Sequence, residues 1–250
     1  MAQDSFVRVW WGDIRGAFGL LTRLPLGGPG RGAAGCWAWP VAGALVGALA
    51  AAAGWGALWA GLPPGWAAAL ALAVQAAATG ALHEDGLADT FDGLMGGRDP
   101  ARRLEIMRDS RIGTFGALAL MLVILARWSA LVVLLPVAPL AVIGIAALSR
   151  ACMAVLMAAL PPARLDGLSR LIGRPSAAAA ALAVGVGGAL ALVSLPDVRA
   201  LPVVLIALAG MLLALGRWAR ARIGGQTGDI LGAAQQLAEA LALGIIVAAP

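Results

Sequence analysis

Four of the thirteen acidic residues in this chain fall within residues 84–92. They are Glu84, Asp85, Asp89 and Asp92, and the chain's one histidine, His83, stands beside them. On a helix Asp85, Asp89 and Asp92 recur at i, i+4 and i+7, which places them on one stripe. Like charges so placed repel, and a divalent cation between them is the economical compensation. Hard oxygen ligands select Mg²⁺ or Mn²⁺. Glu84, Asp85, Asp89 and Asp92 are therefore the candidate metal ligands, with the three aspartates also candidate catalytic groups. A solvated turn punctuated by Gly86 and Gly93 is the plainer alternative, but such a turn has no need to align three acids. His83 is a candidate proton-transfer group, with a purely structural role as its alternative. Gln75 and Thr79 precede His83 at four-residue intervals. Polar residues inside an apolar span face the bundle interior, so this stripe leads from the interior up to the acids.

Residues 98–113 bring arginines next to that cluster. Asp99 followed by Pro100 predicts a helix start, and Gly113 predicts a stop. The short helix so defined carries Arg102, Arg103, Arg108 and Arg111. Guanidinium forks match phosphate oxygens in a bidentate way, which makes Arg102, Arg108 and Arg111 candidate substrate-binding residues. Plain topological charge is the alternative. Residues 224–232 (GGQTGDILG) combine glycines that allow close backbone approach with the start of a helix, whose amides favour anions; Thr227 is the binding candidate there. Arg150 sits near mid-span, where a charge is costly unless paired or useful, and is a further binding candidate. Together these residues suggest metal-assisted phosphoryl or nucleotidyl-type transfer, in which carboxylates hold Mg²⁺ and arginines grip a diphosphate.

The elements that must position these groups are membrane spans. The chain is 61% hydrophobic and 12% charged, against about 25% charged in soluble domains. Several runs reach the roughly 18–20 apolar residues that cross a bilayer, and in hydrocarbon such runs must be helical. The expected fold is all-α: a single polytopic domain over residues 1–250 of about seven transmembrane helices, with six as the alternative count. The spans are read at residues 34–58, 66–81, 114–135, 139–160, 176–195, 201–215 and 229–247. The last is the weakest, because Gln235, Gln236 and Glu239 interrupt it. Residues 83–113 are read as a long polar loop holding the short helix. Residues 5–24 predict an interfacial helix, with Phe6, Trp10, Ile14, Phe18 and Leu21 on one face. No cleavable leader is read ahead of it, since Asp4 and Asp13 interrupt the N-terminal segment.

All 18 basic residues are arginine. Four precede the first span, five follow the second, three follow the fourth and three follow the sixth, whereas the opposite loops hold only Arg199. That asymmetry is the positive-inside pattern. It predicts a cytoplasmic N-terminus, places every motif-bearing loop on the cytoplasmic face, and explains the net charge of +5 without nucleic acid. Cys36 and Cys152 are isolated in apolar runs and read as core residues.

Residues 83–113 closely resemble the signature of the cobalamin synthase (adenosylcobinamide-GDP ribazoletransferase) family. Residues 224–234 (GGQTGDILGAA) resemble its C-terminal signature, and Thr22-Arg23-Leu24-Pro25 and residues 164–168 (RLDGL) also fit. The resemblance runs nearly end to end. It implies that α-ribazole or its 5′-phosphate displaces GMP from adenosylcobinamide-GDP, giving adenosylcobalamin or its phosphate. It further implies dependence on Mg²⁺ and residence in the bacterial inner membrane. Asp85, Asp89 and Asp92 align as the family's acidic triad, while Glu84 stands where the family pattern has an apolar residue. Arg108, Asp109, Arg111 and Asp229 match motif positions, which adds Asp109 to the binding candidates and Asp229 to the catalytic ones. An aspartate or His83 would serve as base for the attacking 5′ group. Assembly into a homo-oligomer stays open.

The spacing of Asp85 to Asp92 is also similar to that of the CDP-alcohol phosphotransferases, but the arginine and the longer acid gap of that pattern are missing. A transporter would use Gln75, Arg127 and Arg150 to line a path, yet transporters place polar groups near the midplane, whereas these acids gather at one face. A structural scaffold leaves the acid stripe unexplained.

Overall fold

The computed structural model describes the backbone of residues 2–249 and the side chains of residues 7–249. Its helices are α1 (Ala2–Leu21), α2 (Trp39–Trp59), α3 (Pro64–Thr79), α4 (Leu82–Gly96), α5 (Pro100–Ile106), α6 (Thr114–Val137), α7 (Leu140–Ala159), α8 (Leu168–Ile172), α9 (Ala177–Ser194), α10 (Ala200–Ile223) and α11 (Gly228–Ala248), with a 3-10 segment, Gly32–Ala38, running into α2. No strand occurs among the described residues, only one isolated bridge between Pro162 and Gln226. Among the described residues six helices are long and apolar enough to cross a membrane: the Gly32–Trp59 unit, α6, α7, α9, α10 and α11. The pair α3 and α4 passes the same test jointly, which raises the count to seven. The expected polytopic all-α bundle is thus the observed one.

The pair α3–α4 corrects the sequence reading of residues 83–113. They are not a long loop: α4 is a 15-residue helix that leaves α3 at 89°. Gly80 (φ 66°) and Ala81 (φ 56°) both adopt the left-handed conformation, which ends one helix and redirects the next. The Ala81 amide closes α3 on the Ala76 carbonyl at 2.8 Å, and the Asp85 amide opens α4 on the Ala81 carbonyl at 2.9 Å. The right-angle turn sets α4 at the end of α3, where it packs on α11 and α6.

The helix start at Asp99 and Pro100 is found, with Asp99 Oδ1 accepting from the Arg102 amide at 2.9 Å. This helix stops at Ile106 rather than at Gly113. Met107 turns into the core against Gly93, so Arg108 and Arg111 ride on a loop.

α7 is the most enclosed span. It packs against α2 and α9 on its flanks and against α11 in front. α11 is a core helix despite its polar residues, because Gln235, Gln236 and Glu239 are fully buried and paired. α1 lies against the bundle through Ile14, Ala17, Phe18 and Leu21. Phe6, expected on that face, lies outside the residues whose side chains are described. Asp13 fastens α1, accepting from Arg31 Nη2 at 2.5 Å and Trp37 Nε1 at 2.8 Å.

Candidate active site

The site begins at a helix crossing. α4 and α11 approach backbone to backbone at Gly86 and Gly232. A Cβ added to Gly86 would stand 3.0 Å from the Asp229 carbonyl oxygen and 3.2 Å from Gly232 Cα. Only glycine allows this approach, and its result is that Asp85 on α4 and Asp229 in the first turn of α11 share a wall. Thr227 fixes that first turn: its Oγ1 accepts from the Ile230 amide at 3.3 Å and donates to Asp229 Oδ2 at 3.0 Å.

That wall bounds a cavity of about 640 Å³. Glu84, Asp85, Asp89 and Asp229 line one side, and Arg108, Asp109 and Arg111 of the loop after α5 line the other, with Arg164 alongside. Arg164 Nη2 donates to Asp229 Oδ2 at 3.1 Å. Above the mouth Arg108 donates to Asp166 at 2.5 and 2.6 Å. Arg111 is almost free of cover, 3.8 Å from Asp109. The loops before α8 and α11 are joined by the Ala163 amide to the Gln226 carbonyl and the Gln226 amide to the Pro161 carbonyl, both at 2.8 Å. The Asp89 carboxyl is pushed up to about 7, first by burial and then by the carboxylates of Asp85, Asp229 and Asp92, against a smaller opposing effect of Arg164. Negative charge is therefore crowded on the α4 side of the cavity.

Several sequence candidates lie elsewhere. Asp92 shares the stripe in register but turns to the start of α6, where its two oxygens accept from the Gly113 amide at 2.7 Å and the Gly116 amide at 2.9 Å. Four unpaired amides and a positive dipole end hold a carboxylate there, and Asp92 does not line the cavity. Arg102 faces outward, paired with Glu105 at 2.7 Å. Arg150 lies inside the bundle on Glu239 at 2.9 Å. Thr227 is wholly buried as a cap, without surface for a ligand. His83 is buried on the far side of the Asp85 wall, and burial, then Arg150, holds its imidazole well below the usual value.

Sequence reasoning missed a buried ionic network beneath the cavity floor. Arg127 donates to Glu239 at 2.8 Å, to Gln236 at 2.5 Å and to Gln75. Arg150 and Gln235 hold the other Glu239 oxygen at 2.9 and 2.5 Å. Glu84 closes the network upward, accepting from Gln236 Nε2 at 2.9 Å and lying 3.5 Å from Arg127. The signal for it was present as polar residues within apolar spans. Arg164 was the other omission, and its signal was the RLDGL run.

The fit of a divalent cation can be judged from these positions. Among the described residues no three carboxylate, imidazole or thiolate groups stand close enough to hold an ion between them. A closed cage of protein ligands is not built, because Asp92 caps α6. Mg²⁺ is usually held by one or two carboxylates and completed by substrate phosphates and water. Asp85 and Asp89, one turn apart on α4 and both lining the cavity, meet that smaller requirement.

A polytopic helical bundle with a charged cavity at one rim, acids on one side and arginines on the other, defines a membrane-embedded enzyme rather than a scaffold or a mid-membrane carrier. The chain belongs to the cobalamin-5-phosphate synthase family, whose profile residues 13–247 match. It is 46% identical over 239 residues to the adenosylcobinamide-GDP ribazoletransferase of Bradyrhizobium diazoefficiens, covering 92% of this chain and 91% of that one. The enzyme of the same name from Sinorhizobium medicae is 42% identical over 265 residues, covering 97% and 98%. That of Azorhizobium caulinodans is 47% identical over 219 residues, covering 84% and 83%. No solved structure matches the chain.

Proposed function

We propose that this protein joins adenosylcobinamide-GDP to α-ribazole, or to its 5′-phosphate, with release of GMP, the assembly step its relatives are named for. The observation that carries the reading is the rim cavity in which Glu84, Asp85, Asp89 and Asp229 face Arg108, Arg111 and Arg164. A diphosphate needs cationic forks at its oxygens and a counter-ion between those oxygens and the acids. The cavity offers the forks, and acids that would hold such an ion.

Asp85 and Asp89 would hold Mg²⁺, which would supply charge neutralisation to a diphosphate. Arg108 and Arg111 close on the phosphate oxygens from the loop side, Arg108 exchanging Asp166 for substrate. Asp229 Oδ2 is held by Arg164 and Thr227, which leaves Oδ1 to accept the proton of an attacking ribose hydroxyl that is free in both forms of the acceptor. That hydroxyl oxygen bonds to the cobinamide-side phosphorus as the bond from phosphorus to the GMP oxygen breaks. The arginine-rich rim faces the cytoplasm of a bacterial inner membrane, where the positive-inside pattern puts it.

The test is the purified full-length chain in lipid nanodiscs with adenosylcobinamide-GDP, α-ribazole and Mg²⁺, with corrinoid product and GMP followed by mass. The expected result is equal release of the two, lost with chelator and restored by Mg²⁺. Folded protein that yields neither product overturns the reading.

A further inference from the structure

A second cavity, of about 140 Å³, lies behind the charged one. Asp85, Arg164 and Asp229 line both, so these three residues form a common partition. The chemistry of the two sides differs. Behind the partition the walls are Leu21, Trp39, Met153 and Met157, all buried, with Ile172 of α8 at the edge. Into this apolar space comes His83, 1% exposed, with neither ring nitrogen hydrogen-bonded. A buried polar atom without a partner is costly. Every other charged or amide side chain of the neighbouring network has at least one bond. The Nη1 of Arg164, on the partition itself, is likewise buried without a partner.

The geometry points to this rear cavity as the subsite for the flat, uncharged nitrogen heterocycle of the acceptor nucleoside, with His83 hydrogen-bonding a ring nitrogen of that base. This assignment rests on the function proposed above and extends it to the acceptor side. The volume is well below the roughly 300–1,000 Å³ of pockets that enclose drug-sized ligands, so it suits a small ring system and excludes a corrinoid. Methionine sulfurs and an indole are favourable neighbours for an aromatic face. An imidazole offers one donor and one acceptor to a heterocycle. An anion finds no cationic partner there except at the partition. A base seated against His83 sends its ribose toward Asp85 and Asp229. The attacking ribose hydroxyl then emerges at the wall of the cavity that holds the diphosphate. The partition thereby separates the two substrates and joins their reacting ends.

The test uses Ile172→Trp, which fills the rear cavity from the exposed edge of α8, and His83→Phe, which keeps a ring and removes both nitrogens. In full-length protein in nanodiscs, each variant is expected to raise the KM for α-ribazole by roughly tenfold. The KM for adenosylcobinamide-GDP and kcat at saturating acceptor stay within about twofold of wild type. An acceptor KM that does not move, or a donor KM that rises in step with it, overturns the assignment. If His83→Phe fails to fold, Ile172→Trp decides alone. Absence of transfer by wild type would count against the proposed function instead. Equilibrium dialysis of α-ribazole alone then decides the subsite: binding that Ile172→Trp abolishes upholds it, and no binding to wild type overturns it.

Discussion

Glu239 on α11 lies 2.8 Å from Arg127 on α6 and 2.9 Å from Arg150 on α7, with all three side chains buried. One carboxylate thus ties three helices together, and Glu84 adds the second negative charge that balances two guanidiniums. Removing one partner of a buried ion pair leaves an uncompensated charge. Glu239→Gln is expected to cost about 3–5 kcal/mol, measured as a fall in thermal midpoint of the protein in detergent. A midpoint within error of wild type would show that the network does not hold the helices.

The two aspartates at either end of the α4 stripe have separable roles. Asp92 caps α6 through Gly113 and Gly116. Asp92→Ala is expected to destabilise the protein by about 0.5–2 kcal/mol, the worth of an N-terminal cap, with activity lost only in proportion to folded protein. Asp89 faces the charged cavity. Asp89→Asn is expected to leave the thermal midpoint at or above wild type, since a crowded charge is removed, while turnover falls roughly a hundredfold or more. Paired melting and turnover assays on both variants decide, and equal behaviour of the two would refute the division.

Arg108 is held at the cavity mouth by Asp166, and both side chains are more than half exposed. Exposed pairs contribute about 0–1 kcal/mol, so Asp166→Asn is expected to leave stability unchanged. It frees Arg108 for phosphate and lowers the KM for the GDP-bearing substrate, whereas Arg108→Ala raises it roughly tenfold. Steady-state kinetics on the two variants read this directly, and KM shifts in the same direction would remove Arg108 from diphosphate binding.

The Gly86–Gly232 crossing sets the distance between Asp85 and Asp229. Gly86→Val is expected to push α4 away from α11, costing about 1–3 kcal/mol by overpacking, and to lower kcat beyond the loss of folded protein. Gly188→Val, at a position where nothing lies within 4 Å of an added Cβ, serves as the control and should leave both stability and kcat near wild type. Comparable losses in the two variants would show that the crossing has no special role.

Much of this architecture was readable from the residues in order. Long apolar runs must be helices in a bilayer, and fifteen arginines on alternate loops predict which end is which. The acids of residues 84–92, the arginines after them and the glycine-rich start of the last span identified the rim where charge gathers. Spacing aligns these acids only if they lie on a helix, whereas residues 83–113 read as a polar loop; α4 is what makes the stripe real. What spacing could not decide was where each side chain ends up, because periodicity places residues on a face without saying which neighbour that face meets. Asp85, Asp89 and Asp92 are equivalent in register, yet the unpaired amides at the start of α6 take Asp92 from the set. Arg150 and Arg127 were legible as costly charges within spans. Only packing shows that both are neutralised by Glu239, a residue about 90 positions away from the first and more than 100 from the second. The right-angle turn at Gly80 and Ala81 was hidden for the same reason. A left-handed alanine is unfavourable locally, and the hydrogen bonds around it and the packing of α4 on α11 are what hold it.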